Sequence, residues 1–480
     1  MDGWMDKPIG KSFDYFHEMD KAFGKNDPPS SNPVFTFFEK NGEWKASTVK
    51  NGGSRNLPKS FCANGALAAT LPKEKVDSHQ KALTVKWIQA MFKRYYEKAE
   101  LRLPPRFARR EYGFMFYDSD MVQRHLGFAS SSEVKEYLVT RIPAHAYHSA
   151  AYYEKPGAPT MDQKGWLGAD LIFDLDADHI ERVKGMPYEQ MLEEVKSEIK
   201  KIVDQFLLGD YGFDEKSIAI SFSGGRGYHI HVRDSRVWAL GPHERREIVD
   251  YITGTDLDPE AFVRPEVYDV SQWGAKYRYT LPMAGESGWR RRIRDGIIEV
   301  AQDLEARGRD DAIKYLMGFS RVSRKTAEVI YDTLFKPSKG KRGIDKLRDG
   351  WIDIFESNRF LTFFKQITLQ KAVDLGKRET DEPVTSDVKR LIRLVSSLHG
   401  RTGMMVVSMT RDDLDDFRPL RDAFPSAFRE DPVKVDVIKP VSLALRGETF
   451  NLSPGVTEVP EYAAVFLSCR GLATIPQVSP

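Results

Sequence analysis

The short strands between residues 167 and 232 constrain this chain more than any other feature. Leu167 to Leu175 is a largely apolar run of strand length that ends in Phe173-Asp174-Leu175-Asp176, as expected of a strand buried on both faces until its last residues. Ser217 to Phe222 and Tyr228 to Val232 flank Ser223-Gly224-Gly225-Arg226-Gly227, the composition of two hairpin arms about a glycine turn. A period of two puts Tyr228, Ile230 and Val232 on one face of the second arm, with His229 and His231 on the other.

Helical patterns surround these strands. Val85, Ile88, Met91, Phe92, Tyr95, Tyr96 and Ala99 recur at helical spacing from an ordered start near Thr84, and Pro104-Pro105 stops them. Tyr188 to Leu208 reads as a second helix, with Met191, Val195, Ile199, Ile202, Val203 and Phe206 on one stripe and Gly209 as its stop. Arg109 to Phe116 reads as the start of a strand, and Met404 to Met409 as a later one. Residues 290–375 are mostly helical in pattern, and basic side chains outnumber acidic ones there.

Composition excludes several classes. With 480 residues, 41% hydrophobic and 30% charged, the chain can bury a sizeable core and is globular, not disordered. A net charge of +2 identifies no partner. Local clusters say more: Arg106 to Arg110, Arg290 to Arg294 and Lys336 to Arg342 are either solvated faces or phosphate contacts. Cys62 and Cys469 are too few for a disulfide framework or a four-cysteine zinc site. The first residues lack a signal-peptide pattern, and no apolar run approaches the roughly 18 residues of a membrane span. The expected setting is reduced and cytoplasmic.

Asp174 and Asp176 lie two apart, so a strand turns both carboxylates to one face while Leu175 enters the core. Hard oxygens in this arrangement suit Mg²⁺ or Mn²⁺ sharing substrate phosphate oxygens. Alone, the pair is an ordinary acidic strand end. The glycine turn is too short for a Walker A loop, but its N–H groups can nest an anion. Ser223, Arg226 and His229 can then reach a triphosphate. His231 reads as a satisfied strand histidine. Glu379, Asp381 and Glu382 offer a third carboxylate, and their chemistry does not choose among them. Arg393, His399 and Arg401 surround a Gly400-Arg401-Thr402-Gly403 turn, although Lys389, Arg390 and Arg393 also fit a basic helical face.

Together these residues resemble the small, catalytic subunit of archaeal and eukaryotic DNA primases, the archaeal subunit most. The likeness covers residues 84–480. The family's first motif, a hydrophobic strand ending in D-x-D, falls on Asp174 and Asp176. Its Ser-Gly-x-Arg-Gly-aromatic-His motif falls on Ser223 to His229. Its third element is an aspartate with a basic residue twelve positions on and a histidine eighteen on, here Asp381, Arg393 and His399. That spacing selects Asp381. The basic position is often lysine in the family, and arginine keeps the charge with a different donor geometry. Arg110 to Phe114 and Tyr462 to Gly471 also look familial.

The resemblance implies an α/β (α+β) catalytic fold with a mixed sheet and an inserted helical subdomain. In those terms residues 1–80 are an N-terminal extension, 84–289 and 376–480 the two parts of the catalytic domain, and 290–375 the helical insertion. It implies Asp174, Asp176 and Asp381 as catalytic metal ligands for Mg²⁺ or Mn²⁺, with Ser223, Arg226, His229, Arg393 and His399 binding the nucleotide. Many relatives carry a Cys/His zinc knuckle; this chain lacks the cysteines, so no structural zinc is expected. The implied activity is primer synthesis on single-stranded DNA from NTPs or dNTPs, with a large primase subunit as heterodimer partner. A primase-related end-joining polymerase that extends existing ends is the alternative. A non-catalytic binding subunit is disfavoured because all three carboxylates are present.

Overall fold

The computed structural model describes residues 78–272, 274–338 and 340–476, and two short strands, Phe35–Lys40 and Glu43–Thr48, that pair antiparallel. The chain divides into two units, residues 1–74 and 75–480. Most of the expected extension over residues 1–80 lies outside the described residues. All three motifs fall in the second unit.

Two four-stranded sheets carry them. Their strands are β1 (Tyr112–Met115), β2 (Val122–Leu126), β3 (His145–Ser149), β4 (Leu171–Asp176), β5 (Ile218–Phe222), β6 (Gly227–Val232), β7 (Leu391–Arg393) and β8 (Val407–Met409). The first sheet has the order β8-β5-β6-β4 and the second β7-β3-β1-β2. Register explains the division of labour. Phe173, Ile230, Ile220 and Met409 form one cross-strand row, and Leu175, Tyr228, Phe222 and Val407 form the next on the same face. Phe173, Tyr228, Phe222 and Ile230 are completely buried, each contributing roughly 1.5–3 kcal/mol. Helix α1 (Ser78–Lys98) sends Ile88, Phe92 and Tyr96 into this core, and α2 (Tyr188–Lys201) sends Leu192, Val195 and Ile199.

The opposite face carries the rows Asp174, His229, Ser221, Ser408 and Ile172, His231, Ala219. It meets the second sheet, where His148 stacks on His231 at 6.0 Å between ring centroids and Ile172 packs with Ala150, Val384 and Ile392. A polar seam therefore runs between the two sheets.

Several details differ from the sequence reading. Every strand pair among the described residues is antiparallel, so the fold is α+β but its sheets are not mixed. Here β5 and β6 form a tight hairpin, and β7 and β8 return against β3 and β5 in the opposite sense. The single strand expected over Leu167–Leu175 is two, Trp166–Ala169 and Leu171–Asp176. They part at Asp170, whose carboxylate accepts from Arg110 at 2.6 Å and from Tyr152 at 2.5 Å in a wholly buried cluster. Only Val407–Met409 of the later run is strand, because Met405 turns its N–H to Ala423. The second helix is α-helical to Lys201 and then widens to a π-helix over Ile202–Leu208. Leu391–Arg393 is strand, so Lys389, Arg390 and Arg393 do not form a helical face.

A second core, including Ile293, Ile297, Leu304, Ile330, Leu334 and Phe364, is built by helices Gly288–Ala306, Arg309–Met317, Arg324–Phe335, Gly343–Arg348 and Asn358–Gly376. Much of the nearby basic charge is structural. Arg292 is buried against Asp210 at 2.6 Å, Lys336 pairs with Asp332, and Arg342 with Glu305. No described helix is long and apolar enough to cross a membrane.

Candidate active site

The end of β4 presents the first two carboxylates. The Asp174 and Asp176 side chains are 20% and 35% exposed, while Leu175 between them is buried. Asp381 is brought to them by the main chain. Its N–H donates to the Asp174 carbonyl at 3.1 Å, and Thr380 Oγ1 donates to the same oxygen at 3.4 Å. Of its acidic neighbours, Glu382 pairs outward with Arg246 at 2.9 Å. The segment is anchored one turn earlier: Arg378 N–H donates to the Ile252 carbonyl at 3.1 Å and Nη2 to Gln205 Oε1 at 3.1 Å.

The glycine turn is locked to the third motif. Gly224 has φ +79°, and a methyl group on it would lie 2.8 Å from His399 Cβ; one on Gly225 would lie 3.1 Å from His399 Nε2. Thr402 Oγ1 donates to the Gly224 carbonyl and the Tyr188 hydroxyl to that of Gly225, both at 2.5 Å. Ser223 Oγ accepts from Gly225 and Gly227 N–H at 3.4 and 3.3 Å, so its hydroxyl holds the turn together. Arg226 leans the other way, pairing with Asp178 and approaching Asp176 at 3.9 Å.

His229 sits beside Asp174, with Nε2 3.5 Å from Oδ1. Burial, and then the Arg393 and Arg390 charges, push its pKa down to about 3, so the imidazole is neutral at neutral pH. Arg393 lies over the Tyr147 ring at 4.8 Å. Burial holds its guanidinium below the usual arginine range, against the opposing pull of Tyr147 and the Asp174 and Asp176 carboxylates. His229 Nδ1 and Arg393 Nη1 are buried nitrogens with no hydrogen-bond partner among the described residues. Such groups are rare in folded proteins unless a ligand or water meets them. His399 Nδ1 accepts from Arg401 N–H at 3.3 Å, and its ring lies edge-on to His145 at 4.7 Å. Burial and the Arg393, His145 and Arg401 charges keep it neutral.

The structure thus gathers Asp174, Asp176, Asp381, His229, Arg393 and His399 around one seam. Ser223 supports the turn, and Arg226 braces the acidic strand end. Sequence reasoning missed His145, Tyr147, Tyr188 and Arg390. Of these, His145 and Tyr147 alternate on β3, a weak signal, and only the pairing of Tyr147 with Arg393 between β3 and β7 places them. Among the described residues no three His, Cys, Asp or Glu side chains form a ready-made metal cage. Half-open paired carboxylates are nonetheless the donor set that Mg²⁺ or Mn²⁺ takes when substrate phosphates and water complete the shell. These residues fit an ion that arrives with a nucleotide.

Paired carboxylates, a half-buried arginine and a glycine turn thus meet on one α+β scaffold. The profile of the DNA primase small subunit matches residues 173–411. The chain is 43% identical over 398 residues to the DNA primase small subunit PriS of Methanothrix thermoacetophila, covering 82% of this chain and 99% of the relative. PriS of Methanocella arvoryzae is 41% identical over 403 residues, covering 81% and 97%, and that of Halobacterium salinarum 40% over 394 residues with the same coverage. The chain belongs to the DNA primase small subunit family, and membership supports a primase catalytic role in DNA replication.

Proposed function

We propose that this chain is the catalytic subunit of a DNA primase, making short primers on single-stranded DNA by transfer of nucleotides from NTPs or dNTPs with release of pyrophosphate. The reading implies a large primase subunit as heterodimer partner and a cytoplasmic setting. Asp174, Asp176 and Asp381 would hold the divalent ions. A bound Mg²⁺ or Mn²⁺ would supply Lewis-acid activation of the attacking 3′-hydroxyl and charge neutralisation of the leaving phosphates. Arg393 offers its unpaired edge to the triphosphate from the opposite sheet. Neutral His229 can donate without adding charge beside Asp174, and neutral His399 braces the glycine turn. Arg226 keeps Asp176 and the strand end in place.

One observation carries the reading. The Asp381 main chain is bonded to Asp174, whose cross-strand neighbour His229 carries, like Arg393 on the facing sheet, a buried nitrogen with no hydrogen-bond partner among the described residues. Purified protein with single-stranded DNA, labelled nucleotides and Mg²⁺ or Mn²⁺, without primer, tests it. New short products are expected, and Asp174→Ala should lower the rate at least ~10³-fold, about 4 kcal/mol of barrier. Residual activity within about tenfold of wild type would sink the site assignment. Products formed only from a supplied primer would point to an end-joining polymerase, and silence even with the large subunit to a binding subunit.

A further inference from the structure

The basic run Arg106 to Arg110 is not absorbed by the site above. Its members have separate fates. Arg110 is entirely buried, spending its guanidinium on Asp170, Tyr152 and the Ser149 and Ala150 carbonyls. Arg106 and Arg109 stay exposed and, with Tyr152, Glu154, Lys155 and Leu167, line a cleft of about 680 Å³.

Arg106 is held in an unusual way. Its backbone is left-handed, with φ 54° and ψ 36°, a conformation that costs a non-glycine residue roughly 1–2 kcal/mol. Its guanidinium lies over the Trp238 ring at 4.1 Å and the Tyr152 ring at 5.3 Å. Tyr152 is itself fixed, because its hydroxyl donates to Asp170 and Arg110 lies over the ring at 4.3 Å. The platform under Arg106 is therefore rigid. Among the described residues, Arg106, Arg109 and Lys155 have no carboxylate partner. Arg236, Arg307, Arg411 and Arg421 elsewhere on the surface each have one. Arg109 reaches only the Glu154 carbonyl, at 3.0 Å. Three unneutralised cations face one acid, Glu154, and one apolar side chain, Leu167, that is 51% exposed.

We propose that Arg106, Arg109 and Lys155 form a second anion site, which grips the phosphate backbone of single-stranded DNA away from the carboxylates. A planar guanidinium stacked on aromatic rings keeps its N–H edges for phosphate oxygens. Leu167 supplies an apolar wall for a base. A protein partner fits less well, because the lining has a single apolar side chain beside three cations. Leu167 lies seven residues before Asp174, so the cleft is at most about 25 Å along the chain from the carboxylates. A strand of about seven stacked nucleotides at 3.4 Å each spans that distance. The identity of the strand as the template rests on the primase reading; the anion site itself does not.

Fluorescence anisotropy of a labelled single-stranded oligonucleotide with the full-length protein, without nucleotide or metal, tests the site separately from catalysis. Arg106→Gly and Lys155→Glu are the variants, since glycine adopts the left-handed backbone without strain and keeps the fold. The double variant should bind about tenfold more weakly. Its plot of log affinity against log salt should lose about 1.4 in slope, roughly 0.7 for each phosphate contact removed. Primer synthesis should show the loss in the template KM, not in kcat. A folded double variant with wild-type affinity and salt slope would overturn the proposal. So would intact DNA binding with lost affinity for the large subunit, which would assign the cleft to a protein.

Discussion

Gly224 sets the tightest limit on the site at the scale of single atoms. It combines φ +79° with His399 Cβ only 2.8 Å from where a methyl group would go, so Gly224→Ala meets backbone strain and overlap together. The left-handed backbone alone costs roughly 1–2 kcal/mol, and the overlap adds to it. We expect Gly224→Ala to lose about 2 kcal/mol or more in urea unfolding and to raise the KM for nucleotide, because His399 must yield. Wild-type stability with unchanged KM would show that the turn has room to spare. The sequence made the glycines legible as a turn but not their partner. Ser223 likewise reads as a phosphate ligand, and its oxygen also accepts from the N–H groups of Gly225 and Gly227, which leaves the hydroxyl proton to donate. Side-chain types reveal which chemistry is available; whether a hydroxyl faces ligand or its own turn depends on backbone geometry that spacing does not encode.

At the scale of elements, Asp174 and Asp176 gain their orientation from strand β4, whereas Asp381 depends on a short connector leaving helix Asn358–Gly376. Four contacts hold it: Arg378 to Ile252 and Gln205, and Thr380 Oγ1 and Asp381 N–H to the Asp174 carbonyl. The Arg378 side chain, 11% exposed, also lies 3.9 Å from Glu198 on α2. Arg378→Ala should therefore let the third carboxylate drift without dismantling either sheet. We expect at least tenfold lower kcat, about 1.4 kcal/mol, with weaker Mn²⁺ binding by titration calorimetry and a cooperative unfolding transition. Unchanged Mn²⁺ affinity together with lost activity would show that Arg378 acts otherwise. The hairpin β5–β6 and the stripe of α2 were readable because their apolar periods are unbroken. The break at Asp170 was not, since one buried acid in an apolar run redirects pairing only through its distant partner, Arg110.

Across the whole molecule, the two sheets meet through imidazoles, not through a continuous apolar layer, and this makes stability depend on pH. His145, His148 and His231 are at most 5% exposed. Burial is the first cause of each shift, and neighbouring cations add to it: His145 is pushed down to about 2, and His148 and His231 well below 6.5. Sequence alternation had separated His229 and His231 from the apolar face, but it could not show that a second sheet covers them, because strands β3 and β6 are about 80 residues apart in the chain and nothing in either names the other. In the unfolded chain these histidines take protons near 6.5, while the folded molecule refuses them. The unfolded state therefore binds more protons below that pH, and stability present above it is lost as pH falls. Each histidine costs about 1.4 kcal/mol one unit below 6.5, so these three remove roughly 4 kcal/mol by about pH 5.5, before most carboxylates titrate, and His229 and His399, also held neutral by burial, add to the loss. Urea midpoints measured between neutral pH and about 5.5 should fall steeply, with about four to five protons taken up on unfolding as all five buried imidazoles are released. His148→Phe should make the fall shallower by about one proton, whatever it does to stability at neutral pH. A flat profile across that range would mean that the seam admits protons, and that the imidazoles are not sealed between the sheets.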